Sequence, residues 1–136
     1  MEVPEELSII SENFLTKLLF DLIESSDNGI SKCYLWANEE MQFSLINDRG
    51  YYECFIVPHK KPINPLDIIR LLRFLKNDKI FYNKELIEAN LSYTLAIDEY
   101  VVLFYDNYSL IKEFIASFNQ EQYDNYNKFK FNYEGR

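Results

Sequence analysis

The sequence predicts an α+β fold of two layers, in which an antiparallel sheet, a meander plus a hairpin, packs against about three helices. Three observations lead to this prediction. Apolar residues recur at steps of three and four in three segments, as in amphipathic helices. Between the first two segments, short apolar runs alternate with turn residues, as in a β-meander. The 136 residues contain only three glycines and four prolines, and this length fits a single globular domain, residues 1–136.

The first predicted helix lies in EELSIISENFLTKLLFDLIESSDNG, residues 5–29. Its acidic residues face away from an apolar stripe with helical spacing. The stripe consists of Leu7, Ile10, Phe14, Leu18 and Leu22. Gly29 follows the segment and is the residue type most often found just past a helix end.

A three-stranded meander follows. We predict its strands at residues 31–37, 41–47 and 51–57. The first turn is Asn38-Glu39-Glu40, and the second is Asn47-Asp48-Arg49-Gly50, where Asn and Gly tolerate positive φ. Pro58 ends the meander because proline cannot donate a hydrogen bond to a sheet.

The second predicted helix is INPLDIIRLLRFLKND, residues 63–78. Asn64 suits the N-cap, Pro65 suits the first helical position, and Asp67 favours the positive end of the helix dipole. Residues 78–90 fit either a strand or a helix.

The last third of the chain predicts a second hairpin and a third helix. LSYTLAI, residues 91–97, and EYVVLFYD, residues 99–106, are the two strands of the hairpin, which is joined by a turn near Ile97-Asp98-Glu99. Because the second run is apolar at every position from 101 to 104, we predict a central strand covered on both faces. A helix is expected at 107–129, and the alternating KFKFNYE, residues 128–134, predicts an edge strand or a docked tail.

The net charge of the chain indicates which classes of partner it can bind. The formal net charge is −8, which disfavours nucleic acid and anionic membranes and attracts basic proteins. Residues 59–84 are the exception, with seven lysines and arginines against two aspartates. Arg70, Arg73 and Lys76 on the helix at 65–77 therefore support an alternative, a nucleic-acid-binding regulator. We favour the other interpretation, the solvated face of an amphipathic helix, because a basic stripe on such an acidic body would have to overcome long-range repulsion.

No pattern of catalytic or metal-binding residues is present in the sequence. Cys33 and Cys54 form no CxxC pair, and His59 is the single histidine, so no zinc spacing can be assembled. Three glycines cannot supply a phosphate-binding loop. We therefore expect no enzyme activity and no cofactor, although a deep polar pocket would favour an enzyme.

The compartment is predicted to be the cytoplasm. The N-terminus is acidic, unlike the basic start of a signal peptide. No apolar run has the length of a membrane span. The richness in Asn, Lys, Ile, Tyr and Phe is typical of a low-GC bacterial genome.

Tyrosines and acidic residues recur together at predicted element ends. Aromatic area supplies affinity and carboxylates supply steering and pairing with Arg or Lys, so this combination favours a surface for basic proteins. The alternative is that half of the tyrosine rings lie in the core with their hydroxyls at its rim. The candidate contact residues are Glu39, Glu40, Asp48, Tyr51, Glu53, Asp98, Glu99, Tyr100, Asp106 and Tyr108.

In size, acidity, aromatic content and lack of catalytic motifs, the whole chain resembles the immunity proteins that protect bacteria from antibacterial toxins, including those of contact-dependent growth inhibition systems. The resemblance rests on composition and size, so it transfers no site residues. It implies stoichiometric binding of a toxin domain, often a basic nuclease, whose active site or substrate surface is thereby blocked.

Overall fold

The fold is α+β, as the sequence predicts, with a five-stranded antiparallel sheet and five helices in the residues described. The computed structural model describes residue 4 and residues 6–59, 64–76 and 96–128. The strands are β1 Asp21–Asp27, β2 Ser31–Ala37, β3 Met41–Asp48, β4 Tyr51–Pro58 and β5 Leu66–Asp67. The helices are α1 Ile9–Lys17, α2 Ile68–Leu75, α3 Ile97–Asp106, α4 Tyr108–Ala116 and α5 Gln120–Lys128.

The sheet is a simple meander in the order β1-β2-β3-β4-β5. The three strands predicted from residue 31 onward are confirmed, to within a residue at their ends. Asparagine side chains close their turns: Asn38 Oδ1 accepts the backbone N–H of Glu40 and Met41, and Asn47 Oδ1 accepts that of Gly50. These are the local bonds by which asparagine favours turns.

The first helix is shorter than predicted, and the second half of the segment predicted as helical forms a strand. α1 ends at Lys17, and Leu19 follows with φ 65°. The next residues pair with β2 as strand β1. The helical spacing of Leu18 and Leu22 was misleading because sheet pairing outweighs a weak local preference in a segment that contains Ser25 and Ser26. In α1 itself Ser11 and Leu15 are buried, whereas Ile10 is exposed.

The prediction of a central strand at residues 99–106 is wrong, because these residues belong to α3. Its buried residues are Ile97, Tyr100, Val101 and Phe104, at the spacing of one helix face. Asp98 and Glu99, predicted in a hairpin turn, lie in the first turn of this helix. Residues 91–95 of the predicted hairpin lie outside the described residues.

Two further boundaries differ from the prediction. The helix predicted at 107–129 is two helices, α4 and α5. Asp67 caps α2, because its side chain accepts the backbone N–H of Arg70, whereas Asn64 was the predicted cap. Residues 78–90 and the predicted strand after residue 128 lie outside the described residues.

One hydrophobic core joins the helices to one face of the sheet, here the inner face. Strands β2, β3 and β4 contribute alternate residues to this face, and all five helices contribute buried residues to the same cluster. Its centre is marked by Phe43 of β3, whose ring is stacked on that of Phe104 of α3, with centroids 4.5 Å apart. The helices described here therefore pack on the inner face, and the other face is called the outer face below.

Candidate interaction surface

Six apolar side chains occupy the middle of the outer face. Because side chains alternate along a strand, the neighbours of the buried residues point away from the core. The apolar ones are Cys33, Leu35, Ala37, Ile46, Phe55 and Val57, all half-buried. None of these six belongs to the described core cluster or packs against it. The register places Ile46 of β3 beside Cys33. Leu35 and Phe55 both face Ser44, and Ala37 and Val57 both face Gln42, so polar residues of β3 interrupt the apolar patch. The six apolar residues together are called the apolar centre below.

Acidic residues surround this patch. They are Asp21 and Glu24 on β1, Asp48 at the end of β3, Glu53 on β4 and Asp67 on β5. The register places each of them on the outer face, beside Ala37, Leu35, Tyr51, Ile46 and Phe55 in turn. None of the outer-face positions of these five strands is Lys, Arg or His. The described strand positions of this face therefore combine the apolar centre with an acidic rim and include no cation. The charge of Arg70, on α2, acts on Asp67 from beside the face.

Asp67 shows how close the acids lie to the apolar centre. Burial raises the pKa of this carboxyl, and the nearby Glu53 carboxylate adds to the rise. The hydrogen bonds from the backbone of Arg70 and Ile69 and the charge of Arg70 oppose it. A cation brought to this place by a partner would favour the ionised form of Asp67. Burial also raises the pKa of the Cys54 thiol well above its usual value, with a further contribution from Asp67, and keeps that thiol neutral.

The structure divides the ten predicted contact residues into three groups. Asp48, Tyr51 and Glu53 are exposed together on the outer face, where Asp48 and Tyr51 are cross-strand partners. Glu39 and Glu40 occupy the β2–β3 turn and share a cleft with Tyr108 of α4. The remaining four lie on α3.

The four residues on α3 have mainly structural contacts. Asp98 Oδ1 accepts the backbone N–H of Ser8 at 3.0 Å, and Glu99 Oε1 accepts that of Ala96 at 2.9 Å. Tyr100 is only 5% exposed, and its hydroxyl donates to the Tyr52 carbonyl at 3.1 Å. Tyr100 is therefore a core residue and not a surface contact. This agrees with the alternative that some tyrosine rings lie in the core with their hydroxyls at its rim. Asp106 ends α3 and is exposed.

The cleft is an open depression of about 630 Å³ between the end of α1, the β2–β3 turn and α4. Asn38 holds its walls together. Its Nδ2 donates to the Leu18 carbonyl and to the Tyr108 hydroxyl, each at 2.9 Å, and its backbone oxygen lies 2.8 Å from Nε2 of the exposed His59. Lys112 pairs with Glu40 at 3.6 Å across the cleft.

Sequence reasoning missed Asp21, Glu24 and Asp67. The first two were assigned to a helix, and β5 has only two residues, too few to show alternation. The apolar centre was detectable, because Cys33-Tyr34-Leu35-Trp36-Ala37 is apolar at every position and therefore on both faces.

The basic helix does not present the predicted nucleic-acid-binding stripe. Arg73 is only 5% exposed. The Arg70 guanidinium donates to the carbonyls of Tyr126 and Asn127 at 3.2 and 3.0 Å and lies 4.9 Å from the centre of the Tyr126 ring. Of the three cations proposed to contact nucleic acid, Arg73 is therefore buried and Arg70 is used in packing α2 against α5.

In residue 4 and residues 6–59, 64–76 and 96–128, no group of three or more His, Cys, Asp or Glu side chains is placed to hold a metal ion. Nor do these residues contain a helix long and apolar enough to cross a membrane. Comparison of the chain with protein-family models, curated proteins and solved structures gives no match.

Proposed function

We propose that this protein is a non-catalytic binding module that neutralises a basic toxin domain, for example a nuclease, by stoichiometric association in the bacterial cytoplasm. The observation that carries the proposal is the outer face, whose described strand positions combine six apolar residues with five acids and include no Lys, Arg or His. Aromatic and aliphatic area at the centre would supply affinity, and the acidic rim would steer a basic partner and fix its orientation.

The same charge pattern explains why a nuclease is a suitable partner. A nuclease must attract phosphate groups, so its substrate surface is basic. An acidic face that docks there would compete with the nucleic acid for the same cations. Two copies of this chain would not associate through their outer faces, because their acidic rims would repel each other at short range.

The proposal is tested with the full chain carrying an affinity tag in its native host. We expect co-purification of one basic protein in a 1:1 complex, identified by mass spectrometry. When the partner is expressed alone in bacteria, it should inhibit their growth. When this chain is co-expressed with it, the bacteria should grow normally. Recovery of nucleic acid, recovery of no partner, or a partner whose toxicity the chain does not relieve would each contradict the proposal.

A further inference from the structure

Leu19 adopts a backbone conformation that leucine seldom takes. Its φ is 65°, in the left-handed region, where a side chain clashes with its own backbone. The residue lies one position past the C-cap of α1. Its N–H donates to the Thr16 carbonyl at 2.9 Å, and the N–H of Phe20 donates to the Leu15 carbonyl at 3.0 Å. This pair of bonds is the Schellman motif, whose left-handed position is usually glycine.

The Leu19 side chain is also 79% exposed, so burial in this chain does not offset the strain. Elsewhere the protein uses glycine for such geometry, since Gly29 and Gly50 have φ 90° and 92° in the hairpin turns. At position 19 it instead carries a large apolar residue, strained and directed to solvent. A residue held in this way is a candidate for function, because strain persists where the surroundings enforce it.

Leu19 lines the cleft between α1, the β2–β3 turn and α4. Asp21 and Ala37 line the same cleft and are cross-strand partners on the outer face. The cleft is therefore continuous with the proposed binding surface. Its carboxylates are those of Asp21, Glu39 and Glu40, and its cations are Lys17 and Lys112. Lys112 pairs with Glu40, which leaves Asp21 and Glu39 as the carboxylates considered for a partner.

We propose that Leu19 is an anchor residue for the same basic partner, which would receive the leucine side chain in an apolar pocket beside a Lys or Arg. The partner's cation would lie between Asp21 and Glu39, and the Leu18–Leu19 wall would cover its methylene stem. This inference rests on the proposed function. It extends the proposed binding surface from the outer face of the sheet into the adjoining cleft. A side chain that fills a desolvated pocket, surrounded by contacts that exclude water, has the setting in which binding hot spots are found.

The test replaces Leu19 by glycine in the full chain and uses the recombinant partner identified by co-purification as the probe. Because glycine fits the left-handed position, the melting temperature should rise by about 2–4 °C. The affinity for the partner should nevertheless fall roughly thirtyfold. Leu19→Asn, which also tolerates this conformation, should behave in the same way. Ile9→Ala is the matched control, because Ile9 is 76% exposed on α1 at its opposite end, and it should leave the affinity unchanged.

The outcomes separate this inference from the proposed function. A glycine variant that is more stable and binds as tightly as the wild type overturns the role of Leu19 and leaves the outer face standing. A less stable glycine variant shows that Leu19 supports the fold and also overturns it. If the wild-type chain binds no basic protein, the proposed function and this inference fail together.

Discussion

Asn38 shows how one side chain can join a turn to the rest of the protein. Asn28 and Asn38 begin tight turns with the same local bonds, since Asn28 Oδ1 accepts the backbone N–H of Ile30 and Ser31. Asn38 differs because its amide nitrogen also reaches the Leu18 carbonyl and the Tyr108 hydroxyl. The β2–β3 turn, and with it Glu39 and Glu40, is thereby fixed to α1 and α4.

This difference predicts unequal costs for the same substitution. Asn38→Ala should lower the free energy of unfolding by about 1–3 kcal/mol more than Asn28→Ala, because two further hydrogen bonds are lost and their partners are left half-buried. Urea denaturation of both variants provides the measurement. Equal losses would show that the bonds to Leu18 and Tyr108 contribute nothing to stability.

The raised pKa of Asp67 predicts how the stability of the protein depends on pH. Burial raises its pKa in the folded protein, so ionisation of this carboxyl opposes folding above that pKa. As the pH falls through the raised pKa toward the usual value of 3.8, the folded state takes up the proton first and this cost disappears.

The matched variant is Asp67→Asn, which cannot titrate and retains an oxygen that can cap α2. As the pH is lowered from neutrality toward 4, the wild type should gain stability relative to this variant in urea denaturation. A difference between the two proteins that does not change with pH would contradict the raised pKa.

At the scale of elements, the meander could be predicted because its turns carry their own chemistry. Asn38 and Asn47 bond their own turns, so these strands needed no information from distant residues. The α1–β1 boundary could not be predicted, because it depends on pairing with β2 and on a left-handed leucine. α3 was misassigned although Ile97, Tyr100, Val101 and Phe104 have helical spacing, because the uninterrupted apolar run suggested a buried strand.

Arg70 predicts how α5 is held to the body. Its bonds to the carbonyls of Tyr126 and Asn127 lie at the end of α5, where a cation is favoured by the helix dipole. Arg70→Met should lower the free energy of unfolding by about 1–3 kcal/mol and increase hydrogen exchange along α5. Lys76→Met, on the same basic segment, is the control. Unchanged exchange in the Arg70 variant would show that α5 docks without the guanidinium.

At the scale of the whole molecule, the sequence predicts an acidic protein that binds basic proteins. It identifies only some of the residues that form the proposed binding surface. Asp48, Tyr51 and Glu53 were predicted because they lie at and beside a recognisable turn. The surface they belong to becomes visible only when β1 and β5 are in place, since Asp21, Glu24 and Asp67 come from those strands. The proposed site depends on tertiary structure as much as on local pattern.

Charge reversal on this surface tests the central claim most directly. The double variant Asp48→Lys/Glu53→Lys changes two exposed acids on the outer face, and Glu113→Lys/Glu121→Lys changes two exposed acids on α4 and α5. Association rates with the recombinant partner would be measured by stopped flow at low and at high salt. The outer-face variant should associate about tenfold more slowly at low salt, because the steering charges are reversed, and the difference should shrink at high salt. Equal rates for the two double variants would contradict the account.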